Sequence, residues 1–240
     1  MAKRRFGVEN TENPANEADE VLVDTVVVKK KDTSDWFEEN QKTIVGALLG
    51  LAVLVVAYFA YQNLVRKPKI AEAASVMYQA QYQFERDSFT ASLTNPGGGH
   101  PGFLSIISDY SGTPAGNIAN YYAGVSYLHL GDFNKAVEHL KDFSARGTTM
   151  PIMKNGTLGD AYSELGDFDQ AISYYEKAAN SDNELLTSQY LKKLGMAYEK
   201  QQKYGKALAA FEKIKTLYPS SAVGAEVDKF IGRVSAVAGK

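Results

Sequence analysis

Apolar and polar positions divide the chain into three stretches of different rhythm. Residues 1–34 are polar and acidic, with Asn, Glu, Thr and Asp between Lys3-Arg4-Arg5 and Lys29-Lys30-Lys31. Too little apolar surface is present there to offset ordering, which predicts a disordered tail. Its one departure is Val21–Val28, whose β-branched residues suit either an unstructured stretch or a strand added to a partner's sheet edge. Residues 35–66 then carry no charge between Lys42 and Arg66, and Ile44–Tyr61 is almost wholly apolar. Eighteen residues rising about 1.5 Å each cover roughly 27 Å, near the hydrocarbon thickness of a bilayer. Trp36 and Phe37 before the run and Tyr58, Phe59 and Tyr61 at its end suit the two interfaces. This predicts one transmembrane helix, retained as an anchor because no small-residue cleavage site follows it.

Within that span Gly46 and Gly50 form a Gly-x-x-x-Gly pair, a candidate packing face for another membrane helix; chance spacing is the alternative, since Gly is common in such helices. Lys29–Lys31 and Lys42 on one side nearly balance Arg66, Lys67 and Lys69 on the other, so charge sets the orientation weakly. The reading adopted puts the tail inside and the larger domain outside. Pro68 is expected to end or kink the membrane helix.

From 67 to 116 the period becomes that of an amphipathic helix. Ile70, Ala73, Met77, Ala80 and Phe84 recur at three- and four-residue steps, before Asn95–Gly102 breaks the helix with four glycines and two prolines. A short helix follows with Phe103, Leu104, Ile106, Ile107 and Tyr110, and the pair reads as a degenerate first repeat. Residues 117–221 then repeat one arrangement three times: Gly124, Tyr127, Phe133, Ala136; Gly159, Tyr162, Phe168, Ala171; and Gly195, Tyr198, Tyr204, Ala207. Glycine and alanine facing each other let two helices approach, while the aromatics fill the flanks. Gly131-Asp132 and Gly166-Asp167 suit a turn in which glycine ends one helix and aspartate caps the next; the third copy has Gln202-Lys203 instead. Residues 222–240, with Val227, Ile231 and Val234 on one face, predict a capping helix. The fold class is therefore all-α: a tail, one membrane helix and a helical-repeat solenoid with a C-terminal cap.

These positions resemble the tetratricopeptide repeat (TPR). In that family helix A lines the binding groove, which here implies Tyr121, Val125, Leu128, Asp160, Glu164, Lys192, Met196 and Glu199. A carboxylate clamp is not implied, because Tyr121, Val125, Gly156 and Asp160 stand where clamp-type repeats use Lys and Asn. The order of parts from 35 to 240 resembles the ancillary single-pass TPR subunit of the bacterial Sec translocon. That resemblance implies a protein of the bacterial inner membrane, its repeats periplasmic and its tail cytoplasmic. Its implied partners are translocon subunits, a membrane-anchored periplasmic chaperone of the prolyl-isomerase class and exported polypeptides. A membrane-anchored scaffold for envelope assembly or division shares the same sequence logic, and an organellar import receptor requires the opposite orientation.

Composition removes other classes. A net charge of −2 without a basic patch argues against nucleic acid, and the absence of cysteine removes disulfides and thiolate chemistry. His100, His129 and His139 lack metal-ligand spacing, and the glycine run lacks the Lys-Ser/Thr of a phosphate loop. No catalytic residue, cofactor or metal is expected, and the protein is read as a non-enzyme.

Overall fold

A computed structural model describes residues 33–239. Most of the predicted tail, including Val21–Val28, lies outside the described residues. Among the described residues every regular element is helical, and the chain divides between Phe59 and Ala60 into two compact units.

Helix α1, Thr33–Tyr61, contains the apolar run. From Val45 to Tyr61 every residue is exposed, leucines and valines included. Its length and composition are those of a membrane-crossing helix. Trp36 and Phe37 meet edge-to-face at 5.2 Å near its start, and Gly46 and Gly50 have open space beside them.

At Gln62–Arg66 the hydrogen bonding widens to a π turn, and α2 runs over Lys67–Glu85. Pro68 therefore does not break a helix at its own position. It sits in the first turn of α2, where a missing N–H costs little. The carbonyl that a proline ring displaces, four residues back at Leu64, falls inside the wider turn.

Helices α3, Phe89–Thr94, and α4, Phe103–Asp109, flank the glycine-rich insertion. The insertion is tied down. Pro96 is fully buried, and its carbonyl accepts the side-chain amides of Gln83 at 3.0 Å and Gln79 at 3.3 Å. Gly102 passes so close to α3 that a Cβ would lie 2.4 Å from the Leu93 carbonyl oxygen. Ala73, Met77, Ala80, Leu93, Phe103 and Ile106 share one core with Ala115, Ala119 and Ala123 of the next helix.

Three helix pairs follow: α5, Pro114–His129, with α6, Phe133–Asp142; α7, Met150–Glu164, with α8, Phe168–Ala178; and α9, Glu184–Lys200, with α10, Tyr204–Leu217. Helix α11, Val227–Ala238, closes the stack after a single 3-10 turn at Gly224–Glu226. In each pair a glycine meets a large side chain. A Cβ would lie 2.6 Å from Leu140 at Gly124, 2.5 Å from the Tyr175 ring at Gly159 and 2.5 Å from the Phe211 ring at Gly195. Ala136, Ala171 and Ala207 are fully buried on the second helices.

The turns inside the pairs share one backbone. The amide of Asp132 donates to the Tyr127 carbonyl, Asp167 to Tyr162 and Lys203 to Tyr198, each at 2.9 Å. With the three-residue bonds from the amides of Gly131, Gly166 and Gln202 to the carbonyls of Leu128, Ser163 and Glu199, these make the same left-handed helix end three times. Gly131 and Gly166 have φ of 78° and 77°; Gln202 reaches 59° despite its side chain. Asp132 and Asp167 accept from the amides of Lys135 and Gln170, whereas Lys203 caps nothing.

Candidate protein-binding groove

The first helices of the three pairs, α5, α7 and α9, border one cleft of about 620 Å³. Of the eight groove residues expected from the sequence, Leu128, Asp160, Glu164 and Met196 line it. Tyr121 and Val125 are half-buried and outside it, the Tyr121 ring 5.4 Å from that of Phe143. Lys192 pairs with Glu226 at 3.5 Å, and Glu199 is held by Arg233 at 2.9 Å, so both are engaged by the C-terminal cap.

The cleft also contains residues the sequence did not single out. Lys193 sends its ammonium to both carboxylate oxygens of Asp160 at 2.7 Å, and the Tyr175 hydroxyl donates to the same carboxylate at 2.8 Å. Lys193, Met196, Ala197 and Lys200 lie at i, i+3, i+4 and i+7 of α9, a helical stripe that was a usable signal. Phe133 and His129 complete an apolar margin, while Glu164 and Lys200 carry charges without an ion-pair partner among the described residues.

One end of the groove is filled from within. Tyr190 of α9 lies over Gly156 of α7, and a Cβ on Gly156 would fall 1.9 Å from the ring. Burial first, then the neighbouring Asp160 carboxylate and Tyr121, push the Tyr190 hydroxyl up to about 12. Burial and Asp160 likewise hold the Tyr175 hydroxyl well above its ordinary range. Both phenols therefore stay neutral at physiological pH, Tyr175 as a donor to Asp160. The surface left open combines a Met196 that is 43% exposed with alternating charges, features suited to gripping a short peptide segment. Among the described residues no three His, Asp or Glu side chains are grouped to hold a metal ion.

Helix pairs stacked in series, each with a glycine of the first helix packed against a large side chain of the second, define a helical-repeat protein. Family models of the tetratricopeptide repeat match residues 119–146 and 157–222. Matching solved chains number 23. One is a Podosopora anserina structure of nearly identical TPR-like repeats, described as a kinesin light chain. It is 14% identical, with a TM-score of 0.53, covering 71% of this chain and 88% of that one. Another is MamA, 23% identical with a TM-score of 0.47, covering 57% of this chain and 79% of that one. No curated protein sequence matches the chain. The repeats suggest protein–protein interaction, and proteins built of them are generally non-enzymatic scaffolds.

Proposed function

We propose that this chain is a membrane-tethered TPR adaptor that holds exported polypeptides beside the Sec translocon of the bacterial inner membrane. The observation that carries the reading is the juxtaposition along the chain of an apolar helical stretch exposed from Val45 to Tyr61 and an open cleft in a repeat domain that starts within a few residues of it. A single span keeps the cleft near one point of the membrane. Weak peptide contacts then act at high effective concentration. The repeats face the periplasm in this reading. Translocon subunits and a membrane-anchored prolyl-isomerase-class chaperone are the neighbours the cleft serves.

Two measurements test it. A tag placed after Lys240 becomes protease-sensitive when the outer envelope is opened with the inner membrane intact; protection at that stage reverses the topology. Affinity purification of the full chain from mild detergent recovers translocon subunits. Recovery of envelope-assembly or division proteins in their place overturns the translocon assignment and leaves a scaffold of another pathway.

A further inference from the structure

A second cavity, of about 660 Å³, lies at the start of the repeats, away from the peptide cleft. Its lining includes Arg66, Thr113, Asn117, Asp142, Ser144 and Arg146. Neither arginine forms an ion pair among the described residues. Arg66 has one long contact, 3.3 Å from Nη1 to the Gln62 side-chain oxygen, and Arg146 is exposed on the loop after α6. That loop is fixed: the Asn117 amide donates to the Ser144 carbonyl at 3.0 Å, and the Ser144 amide donates back at 2.8 Å. The N-terminus of α5 is not itself a free ligand group, since Thr113 already caps Gly116 at 3.0 Å.

Two guanidinium groups on the wall of a polar cavity suit a phosphate ester, which each can grip with paired N–H donors. Asp142 is the single carboxylate on the lining, and the Lys154 ammonium stands near enough to interact with it. The cavity is therefore net positive. Its position along the chain selects the source of the phosphate. Arg66 follows Tyr61, the last residue of the apolar run, by five residues, or about 7.5 Å of helix. The headgroup layer on each side of the hydrocarbon is about 5–8 Å deep.

We propose that this cavity binds the phosphodiester headgroup of an anionic phospholipid through Arg66 and Arg146. The assignment rests on the reading of Ile44–Tyr61 as a membrane span. Bound lipid would fix the repeat domain close against the bilayer surface, a second attachment beside the helix itself.

The test uses the full chain in non-ionic detergent, titrated with phosphatidylglycerol or phosphatidylcholine and weighed intact by mass spectrometry. One phosphatidylglycerol is retained per chain in preference to phosphatidylcholine. The double variant Arg66→Ala with Arg146→Ala weakens that retention about thirtyfold, taking the usual contribution of basic residues at a membrane surface. Asp142→Asn, which removes the opposing charge, strengthens it. Equal retention of both lipids by the native chain, or undiminished retention by a double variant of native helicity, overturns the proposal. Displacement by millimolar inorganic phosphate without any preference for lipid assigns the site to free phosphate and overturns it too. Carbonate extraction of membranes separates the two readings: a double variant that stays in the membrane yet loses phosphatidylglycerol preference leaves the span intact and locates the effect in the cavity. Native chain released by carbonate removes the span itself.

Discussion

The first two repeats and the third build the same turn from different chemistry. Gly131-Asp132 and Gly166-Asp167 meet its requirements locally, glycine taking the left-handed conformation and aspartate capping the next helix. Gln202-Lys203 does neither, yet the amide of Lys203 reaches the Tyr198 carbonyl at the same 2.9 Å. What holds the third turn is packing: Tyr198, Ala207, Ala210, Phe211 and Ile214 are buried in one cluster with Ala171, Ile172 and Tyr175 of the second repeat and Val223, Val227, Phe230 and Val234 of the cap. Local sequence and tertiary burial are thus interchangeable sources of one backbone shape, and the repeat nearest the cap is the one that relies on burial.

The sharpest way to break this difference is at the helix crossings. Gly195→Ala sets a methyl 2.5 Å from the ring of Phe211, a fully buried side chain with no room to turn. A loss of about 1–3 kcal/mol is expected in urea unfolding, beyond the gain in helix propensity. Gly124→Ala meets Cγ of the equally buried Leu140 at 2.6 Å and the Ala136 carbonyl oxygen at 3.2 Å, and its loss is of similar size. Gly195→Ala tolerated without loss would remove the idea that the third repeat leans on its core.

Exchanging the turns has the next largest effect. Gly166→Gln with Asp167→Lys destabilises by roughly 2 kcal/mol, about 1 from the left-handed residue and about 1 from the cap. The reverse exchange, Gln202→Gly with Lys203→Asp, stabilises by a similar or smaller amount. Thermal melts of the two double variants give the comparison directly.

The tyrosines give a third contrast, in pH. Tyr190 and Tyr198 titrate near 12, raised mainly by burial, with Asp160 and Glu176 as their respective acidic neighbours. A phenol whose folded pKa lies above its unfolded value of about 10 stabilises fully below that value and loses its contribution as pH rises through the folded one. Stability therefore falls between about pH 10 and 12. Tyr190→Phe and Tyr198→Phe each flatten that decline in alkaline melts.

The smallest effect belongs to the cleft. Asp160→Asn removes the ion pair to Lys193 while leaving an acceptor for Tyr175, and changes stability by less than about 1 kcal/mol. Partner recovery is the more informative reading. Met196→Ala and Glu164→Ala, on the open surface, weaken it, and Val125→Ala, outside the cleft, does not.

The repeats were legible in the sequence because each of Gly124, Gly159 and Gly195 has a steric reason to be small, and the helical period carries that reason into the residue string. Four of the twelve residues lining the cleft were legible for the same cause: Leu128, Asp160, Glu164 and Met196 follow from register on the first helix of each pair. Lys192 and Glu199 share that register, but their partners Glu226 and Arg233 lie 34 residues onward in both cases and no local pattern announces them. Tyr190 was hidden likewise, since its place over Gly156 depends on how two successive repeats stack. Pro68 misled in a narrower way. A proline marks a helix boundary, but a π turn just before it absorbed the displaced carbonyl without leaving helical structure.

The cap is fastened by charge as well as by its core: Lys192 to Glu226, Arg233 to Glu199 and Lys215 to Asp228, all on partly or fully exposed side chains. Such pairs are screened within about 8–10 Å at ordinary ionic strength and weaken further as salt rises. The working length of the array is therefore adjustable by its medium. In dilute solution amide exchange should be slow through α11, and in concentrated salt it should quicken there first, while the glycine-turned repeats earlier in the chain keep their protection.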